Sequence, residues 1–325
     1  MRRSAVRGLG SVEAVAQRSV TPNSSLRRGH GAGHSNAYTG GHELSPHAFE
    51  TSLSLSGADG QYQLELDRTW EGQPGAVWGG FLLAVVLRAA GLTATVSRPV
   101  SAASQFLRPA AVGQPLDINV VSLRRGRTSE LLAVSVGQAG RTVVEAQIRA
   151  SEGGSGPVCE PRQPPTLVDP LSRPLAGEAT RADGTEAPNI LGIWDMRAPE
   201  FGDATAGDPE ACFWARLGPA VTYDDPFMEA ARYALSLDSH APAVLHRLGA
   251  WGPGRKEIPW GFSNLDSLIH FHRPSGTDWV YAEYRVLTGS DGLVSTQAQA
   301  WSSEGNLLAT AMSQVAFFPL RPGGS

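Results

Sequence analysis

The residues of this chain that could do chemistry are few and scattered, and none belongs to a serine-nucleophile motif, since no Gly-x-Ser-x-Gly elbow is present. Asp238 is the only carboxylate in the second half of a helix-like segment that ends shortly before Pro242. A carboxylate there could orient or deprotonate a water molecule. The alternative is a solvated helix acid, or one paired with Arg232 or His240. Negative charge is disfavoured at a helix C-terminus, so its presence is compatible with a functional reason. Gly79 and Gly80 open another helix-like segment. Backbone N–H groups at such a start can hold developing negative charge, or the glycines can simply permit close packing against a sheet. Gln314 lies in a largely apolar strand-like run, where a buried amide needs a partner and an outward one does not. Gln147 takes a comparable place earlier in the chain. His270 and His272 alternate with Ile269 and Phe271 and so face one side of a strand. With no Cys or carboxylate set beside them they are expected to pack or hydrogen-bond, and no metal is expected.

These residues must be carried by a larger frame, and the frame looks duplicated. Phe106-Leu107-Arg108-Pro109 and Phe271-His272-Arg273-Pro274 each follow an apolar helix-like segment and precede three strand-like runs split by Gly turns. In the first unit, Ser52–Ser56 and Tyr62–Leu66 alternate as half-buried strands do. The segment Gly79–Gly91 follows, apolar nearly all round yet short of the ~20 residues a bilayer span needs, so it predicts a buried helix against a sheet. Leu116–Ser122, Glu130–Val136 and Thr142–Arg149 read as strands. In the second unit, Ile190–Arg197 and Cys212–Leu217 are strand-like, and Asp225-Pro226 offers an N-cap and a first-turn proline for a helix over Phe227–Leu237. Leu265–His272, Trp279–Leu287, Leu293–Trp301 and Leu307–Phe318 then complete a meander. The expected organisation is a disordered tail over 1–44, a unit over 45–150, a Pro/Gly-rich linker over 151–188 and a second unit over 189–320.

Composition narrows the function classes. At 325 residues the chain can hold two cores, and a net charge of −4 gives no basic field for nucleic acid. Cys159 and Cys212 suggest neither a disulfide framework nor a thiolate site, so a reducing cytoplasmic location fits. The first forty residues are rich in Arg, Ser, Gly and His with a single acid, Glu13, and have no signal-peptide core; an organelle-targeting role is the lesser alternative.

Gly79–Ala90, Phe106–Thr128, Leu265–Pro274, Asp278–Gly292 and Glu304–Phe318 together resemble the TesB-like acyl-CoA thioesterases, including diverged members. The resemblance covers roughly residues 45–320 outside the linker. It implies an α+β double hotdog, two central helices each wrapped by an antiparallel sheet, that hydrolyses acyl-CoA by an activated water with no cofactor. It implies the site residues as well. Asp238 matches the family's acid, although its spacing to Pro242 is not the commonest. Gln314 matches the glutamine of the last strand. Asn264, with Ser263 beside it, stands where the family has Ser or Thr, a substitution that leaves a degenerate, non-catalytic acyl-CoA-binding protein as an alternative. A hotdog hydratase or dehydratase is a weaker alternative, since its Gly-Asp-x-Asn-Pro-type motif is missing. Gly79 and Gly80 would then serve the thioester oxyanion, and Arg124, Arg125 and Arg127 would contact coenzyme A phosphates unless they are merely solvated. The first helix has no acid matching Asp238, which implies one working site per chain. A homodimer or higher homo-oligomer is expected, with no membrane span.

Overall fold

A computed structural model describes residues 48–66, 68–159, 165–176, 194–197, 200–201, 209–217, 222–250, 260–274 and 276–319. The tail over 1–44, the linker positions 160–164 and 177–188, and the start of the strand expected over 190–197 lie outside the described residues.

The chain opens with a short helix α1 (Ala48–Ser52) and the paired strands β1 (Ser56–Ala58) and β2 (Gln61–Leu64). Ser52–Ser56 is therefore not a strand as its alternation suggested. Leu53 N–H closes a helical turn onto the Phe49 carbonyl at 3.1 Å, and Phe49 and Leu53 are both buried. A hairpin of β3 (Glu71–Gln73) and β4 (Ala76–Val77) delivers the chain to α2 (Gly79–Thr93). Four strands follow: β5 (Arg98–Phe106), β6 (Leu116–Arg125), β7 (Ser129–Gln138) and β8 (Arg141–Ser151). Beyond the linker come β9 (Trp194–Met196), β10 (Ala211–Leu217), helix α3 (Pro226–Leu237) and a further helix α4 (Ala241–Arg247) that the periodicity did not disclose. Five strands end the fold: β11 (Trp260–Asn264), β12 (Asp266–Phe271), β13 (Val280–Ser290), β14 (Leu293–Ser302) and β15 (Leu307–Pro319).

All but the β3–β4 hairpin join one 13-stranded sheet, in the order β1-β2-β6-β7-β8-β5-β12-β15-β14-β13-β10-β9, with β11 also on β15. The seam between the halves is an antiparallel pair, β5 with β12, running from Asp266 opposite Gln105 to His270 opposite Ser101. These are the two strands that end in the repeated Phe-x-Arg-Pro signature, so the duplicated motif marks where the halves join. Along β7 buried and half-buried residues alternate strictly, as a sheet with one face on a core requires. That face packs on α2, buried from Gly80 through Leu87, and on α3, buried from Phe227 through Leu237. Asp225 caps α3 as its sequence indicates, its Oδ1 accepting from Phe227 N–H at 2.8 Å with Pro226 in the first turn.

The helices run antiparallel and touch at both ends. Near the C-terminus of α2 a Cβ on Gly91 would lie 2.7 Å from Phe227 Cβ, and Arg88 Nη1 meets Asp225 Oδ2 at 3.1 Å. At the other end a Cβ on Gly79 would lie 2.7 Å from Asp238 Oδ2. Gly91→Ala is expected to destabilise the fold: overpacking against a fixed Phe227 costs about 1–3 kcal/mol, against the roughly 0.5–1 kcal/mol that Ala gains over Gly in a helix. Thermal unfolding should register a melting point several degrees lower; an unchanged or higher one would show that the helices can move apart.

Among the described residues one ion pair is deeply buried, and it is used within the second half. Arg232 Nε donates to Glu229 Oε2 at 3.0 Å, while its other nitrogens donate to the carbonyls of Asp278 (2.7 Å) and Thr277 (2.9 Å). Arg232 thus ties α3 to the chain entering β13 and is no partner for Asp238.

Candidate active site

Asp238 is the residue that closes α3, in helical backbone at φ −93°, and only 5% of it is exposed. Its own helix dipole disfavours a carboxylate there, but the antiparallel arrangement sets the N-terminus of α2 against it, and that end carries the opposite partial charge. Gly80 N–H donates to the Asp238 carboxyl. Asn264, the last residue of β11, donates from Nδ2 to both the Asp238 carbonyl and Asp238 Oδ1, each at 2.9 Å. Burial pushes the Asp238 pKa up to about 7, with the Asn264 amide and Gly80 N–H opposing the shift. A carboxyl poised near neutrality is suited to taking and returning a proton.

The local chain explains how Asn264 reaches the acid. Asn264 pairs with Val315, yet Leu268 pairs with Met312, so the β11–β12 side carries one residue more than β15 over this stretch. That is a β-bulge at Leu265–Asp266. The bulge is closed on both sides: Leu265 N–H donates to the Gln314 carbonyl at 2.8 Å, and the Asp266 side chain accepts Gln314 N–H at 2.8 Å. Asp266 therefore holds the turn in the strand, and Asn264 is aimed at α3 in consequence.

Gln314 itself is not brought to Asp238. On β15 the core-facing positions are Ala309, Ala311, Ser313 and Val315, all buried, whereas Met312 between them is exposed and Gln314 is half-buried. The Gln314 side chain lies with the outer row and makes no hydrogen bond to the acid; its main chain serves the bulge. Ser313 has the inward place and donates to the Asp266 carbonyl at 2.7 Å. Gln147 is exposed too, and register sets it opposite Ala103 as Met312 is opposite Leu268, so it is not the counterpart of Gln314. Ser263 is exposed and donates to the Asn264 carbonyl at 3.2 Å, away from the acid.

Of the two glycines, Gly80 spends its N–H on Asp238, while Gly79 N–H has no acceptor among the described residues. Phe106 closes this end, its ring 3.4 Å from where a Cβ on Gly79 would sit. The arginine turn lies elsewhere. Arg125 Nε pairs with Glu130 at 3.0 Å, and Glu130 accepts Thr95 N–H at 3.0 Å just past the C-terminus of α2. Arg124, Arg125 and Arg127 are exposed, and through Glu130 the turn sits at the end of α2 away from Gly79, a helix about 20 Å long. At that far end His272 Nε2 meets Thr310 Oγ1 at 3.2 Å, and among the described residues no three His, Cys, Asp or Glu gather as metal ligands.

The duplicated end of the molecule lacks the same chemistry. Superposing the two signatures places Pro99 on Asn264 and Ser101 on Asp266, and a register shift recurs there between Pro99 and Ser101. The bulge is thus repeated, but Pro99 has no amide to offer, and the residue that closes α2 is Ala94 where Asp238 closes α3.

Residues 66–151 match the acyl-CoA thioesterase N-terminal domain, and residues 165–318 match the acyl-CoA thioesterase C-terminal domain. The chain belongs to the TesB-like acyl-CoA thioesterase family. A hot dog fold protein of unknown function from Alicyclobacillus acidocaldarius is similar at 20% identity and TM-score 0.70, covering 85% of this chain and 100% of that one. The tesB protein of Mycobacterium avium subs paratuberculosis is similar at 23% identity and TM-score 0.67, covering 85% and 100%. Acyl-CoA thioesterase II TesB2 from Mycobacterium marinum is similar at 19% identity and TM-score 0.64, covering 86% and 100%. At these identities the likeness shows the hotdog fold. No curated protein matches the chain. Among the described residues no helix is long and apolar enough to cross a membrane.

Proposed function

We propose that this thioesterase hydrolyses acyl-CoA with Asp238 as the general base toward water and Asn264 as the residue that orients it. The observation that carries the reading is the buried Asp238 carboxyl, gripped by Asn264 Nδ2 at 2.9 Å and by Gly80 N–H at the start of α2. Water attacks the thioester carbonyl carbon as its proton passes to Asp238. The oxygen of the tetrahedral intermediate takes the negative charge, and Gly79 N–H, without an acceptor among the described residues, is the donor we assign to it. Collapse breaks the C–S bond, the protonated Asp238 returns its proton to the departing sulfur, and free acid and coenzyme A leave. Nothing in this cycle calls for a metal or cofactor.

The finer architecture belongs to the same reading. Each of α2 and α3 is the core of one hotdog, over 45–150 and 189–320, supported by the repeated order of helix, signature strand and meander. The one catalytic end per chain follows from Asp238 and Asn264 against Ala94 and Pro99. Exposed Arg124 and Arg127 at the far end of α2 suit the phosphates of the substrate rather than its thioester. Gln314 enters only through its main chain, and Ser263 takes no part. Cytoplasmic action on a soluble coenzyme A ester, in an assembly of identical chains, completes the proposal.

The direct test is release of free thiol from a panel of acyl-CoAs. Because the base must be ionised, kcat/KM should rise with pH by about tenfold per unit below the Asp238 pKa and level off above about 7. A limb near pH 4 would mean that the acid is solvated in the working enzyme. No thiol release from any chain length would leave the binding-protein reading in its place.

A further inference from the structure

His240, Thr296 and Ser313 take no part in the chemistry just described, yet they close a ring around it. His240 follows Asp238 by two residues and is fully buried, its ring edge-on to Tyr284 at 5.2 Å between centroids. Its Nδ1 lies 2.9 Å from Thr296 Oγ1, and Thr296 Oγ1 donates to the Ser313 carbonyl at 3.0 Å. The single hydroxyl proton of Thr296 is thereby used, so His240 Nδ1 carries the hydrogen and donates. The other ring nitrogen, Nε2, is buried without a partner among the described residues. Burial pushes the His240 pKa down to about 3, the Leu237 carbonyl opposing, so the ring stays neutral throughout the working range. Leu or Phe would fill the space without stranding a nitrogen, so the choice of His needs a reason.

Following the bonds onward supplies one. From Ser313, Oγ donates to the Asp266 carbonyl at 2.7 Å, and Asp266 Oδ1 accepts Gln314 N–H at 2.8 Å. Those two strands make the bulge that ends β11, and Asn264 at its edge donates back to Asp238. The path leaves the turn between α3 and α4 at His240, crosses β14 and β15, and returns to the end of α3 at Asp238.

We propose that His240 and Thr296 are positioning residues: acting through Ser313 and the Leu265–Asp266 bulge, they hold the Asn264 amide against Asp238. This rests on the reading of Asp238 as the base. The charged surroundings leave Asn264 as the adjustable influence on that acid. At this end α2 presents only Gly79 and Gly80, its one ionisable residue, Arg88, being paired with Asp225 at the other end. From β13, Tyr284 is kept protonated by burial and by the Asp238 charge, and its hydroxyl donates to the Ser236 carbonyl. On α4, Arg247 pairs with Glu210 at 2.9 Å, and Asp266 is spent on the bulge.

The test compares Thr296→Val, Thr296→Ser and His240→Phe with Asp238→Asn, using the full chain and one acyl-CoA that the wild type hydrolyses. Loss of the Thr296 hydroxyl should lower kcat by about tenfold or more, as a small misplacement of the base does, while KM stays within about twofold. Because the Asn264 hydrogen bond favours the ionised carboxylate, loosening it should move the acidic limb of the kcat/KM profile to higher pH. Thr296→Ser should restore both. A folded Thr296→Val with wild-type kcat and an unmoved limb overturns the proposal, as does a kcat loss with the limb in place. Should His240→Phe fail to fold, the Thr296 pair decides alone. Asp238→Asn separates the two levels: wild-type turnover there removes the base itself, whereas an inactive Asp238→Asn beside a normal Thr296→Val removes only the positioning role.

Discussion

Asp238→Asn is expected to cut kcat by about 10²–10⁴-fold and leave KM nearly unchanged, the loss that follows when a general base can no longer accept a proton. The substitution keeps the shape of the side chain, so binding is preserved and only the chemistry suffers. A second readout follows from the raised pKa. Between the ordinary aspartate value of 3.8 and about 7 the folded protein holds a proton that the unfolded chain releases. Stability therefore falls as pH rises through that window and reaches its lower level above about 7. In Asp238→Asn that fall should vanish, leaving the pH dependence of unfolding flatter than in the wild type. Denaturant titrations at pH 5 and pH 8 measure it. Wild-type turnover in the variant would remove Asp238 from the mechanism, and an unchanged pH dependence would place its carboxyl in water.

Gly79→Ala is expected to reduce kcat by about 100-fold, because the new Cβ would lie 2.7 Å from Asp238 Oδ2 and the acid must move to admit it. Asn264 and Gly80 hold that carboxyl from other sides, so it cannot move without breaking one of those bonds. Phe106, 3.4 Å away, blocks displacement of the methyl in the other direction. Gly91→Ala is the matched control, since it inserts a methyl on the same helix at 2.7 Å from Phe227, at the end away from Asp238. Gly91→Ala should lose stability and keep its kcat once folded. Equal kcat losses in both variants would mean that spacing between the helices, rather than the position of Asp238, governs turnover.

Much of this protein is set by local sequence. The apolar run from Gly80 to Ala90 has no polar face to show to water, so it must become a buried helix. Asp225-Pro226 starts α3 because an acceptor side chain and a residue without an N–H suit the open donors of a first turn. Strand alternation and Gly turns marked the meanders, and the twice-used Phe-x-Arg-Pro marked the duplication. Asp238 could be named as a candidate from its place on α3 and from family resemblance, and Asn264 from the resemblance alone, as the residue standing two before Asp266 where the family has Ser or Thr.

Which of these groups meet is set by packing between distant parts of the chain. Local sequence cannot say that α2 and α3 lie antiparallel, and it is that packing that sets Gly80 N–H on Asp238 and turns an unfavourable helix end into a site for an acid. It cannot show the extra residue at Leu265–Asp266 either. A strand's side chains alternate with period two, so a single inserted residue exchanges the faces of everything beyond it. That exchange aims Asn264 at the acid, while the unbroken alternation of β15 gives Ser313 the inward place and Gln314 the outer row. Residue types and periodicity determined the elements; contacts between residues distant in the chain, fixed by packing and by one bulge, determined the site.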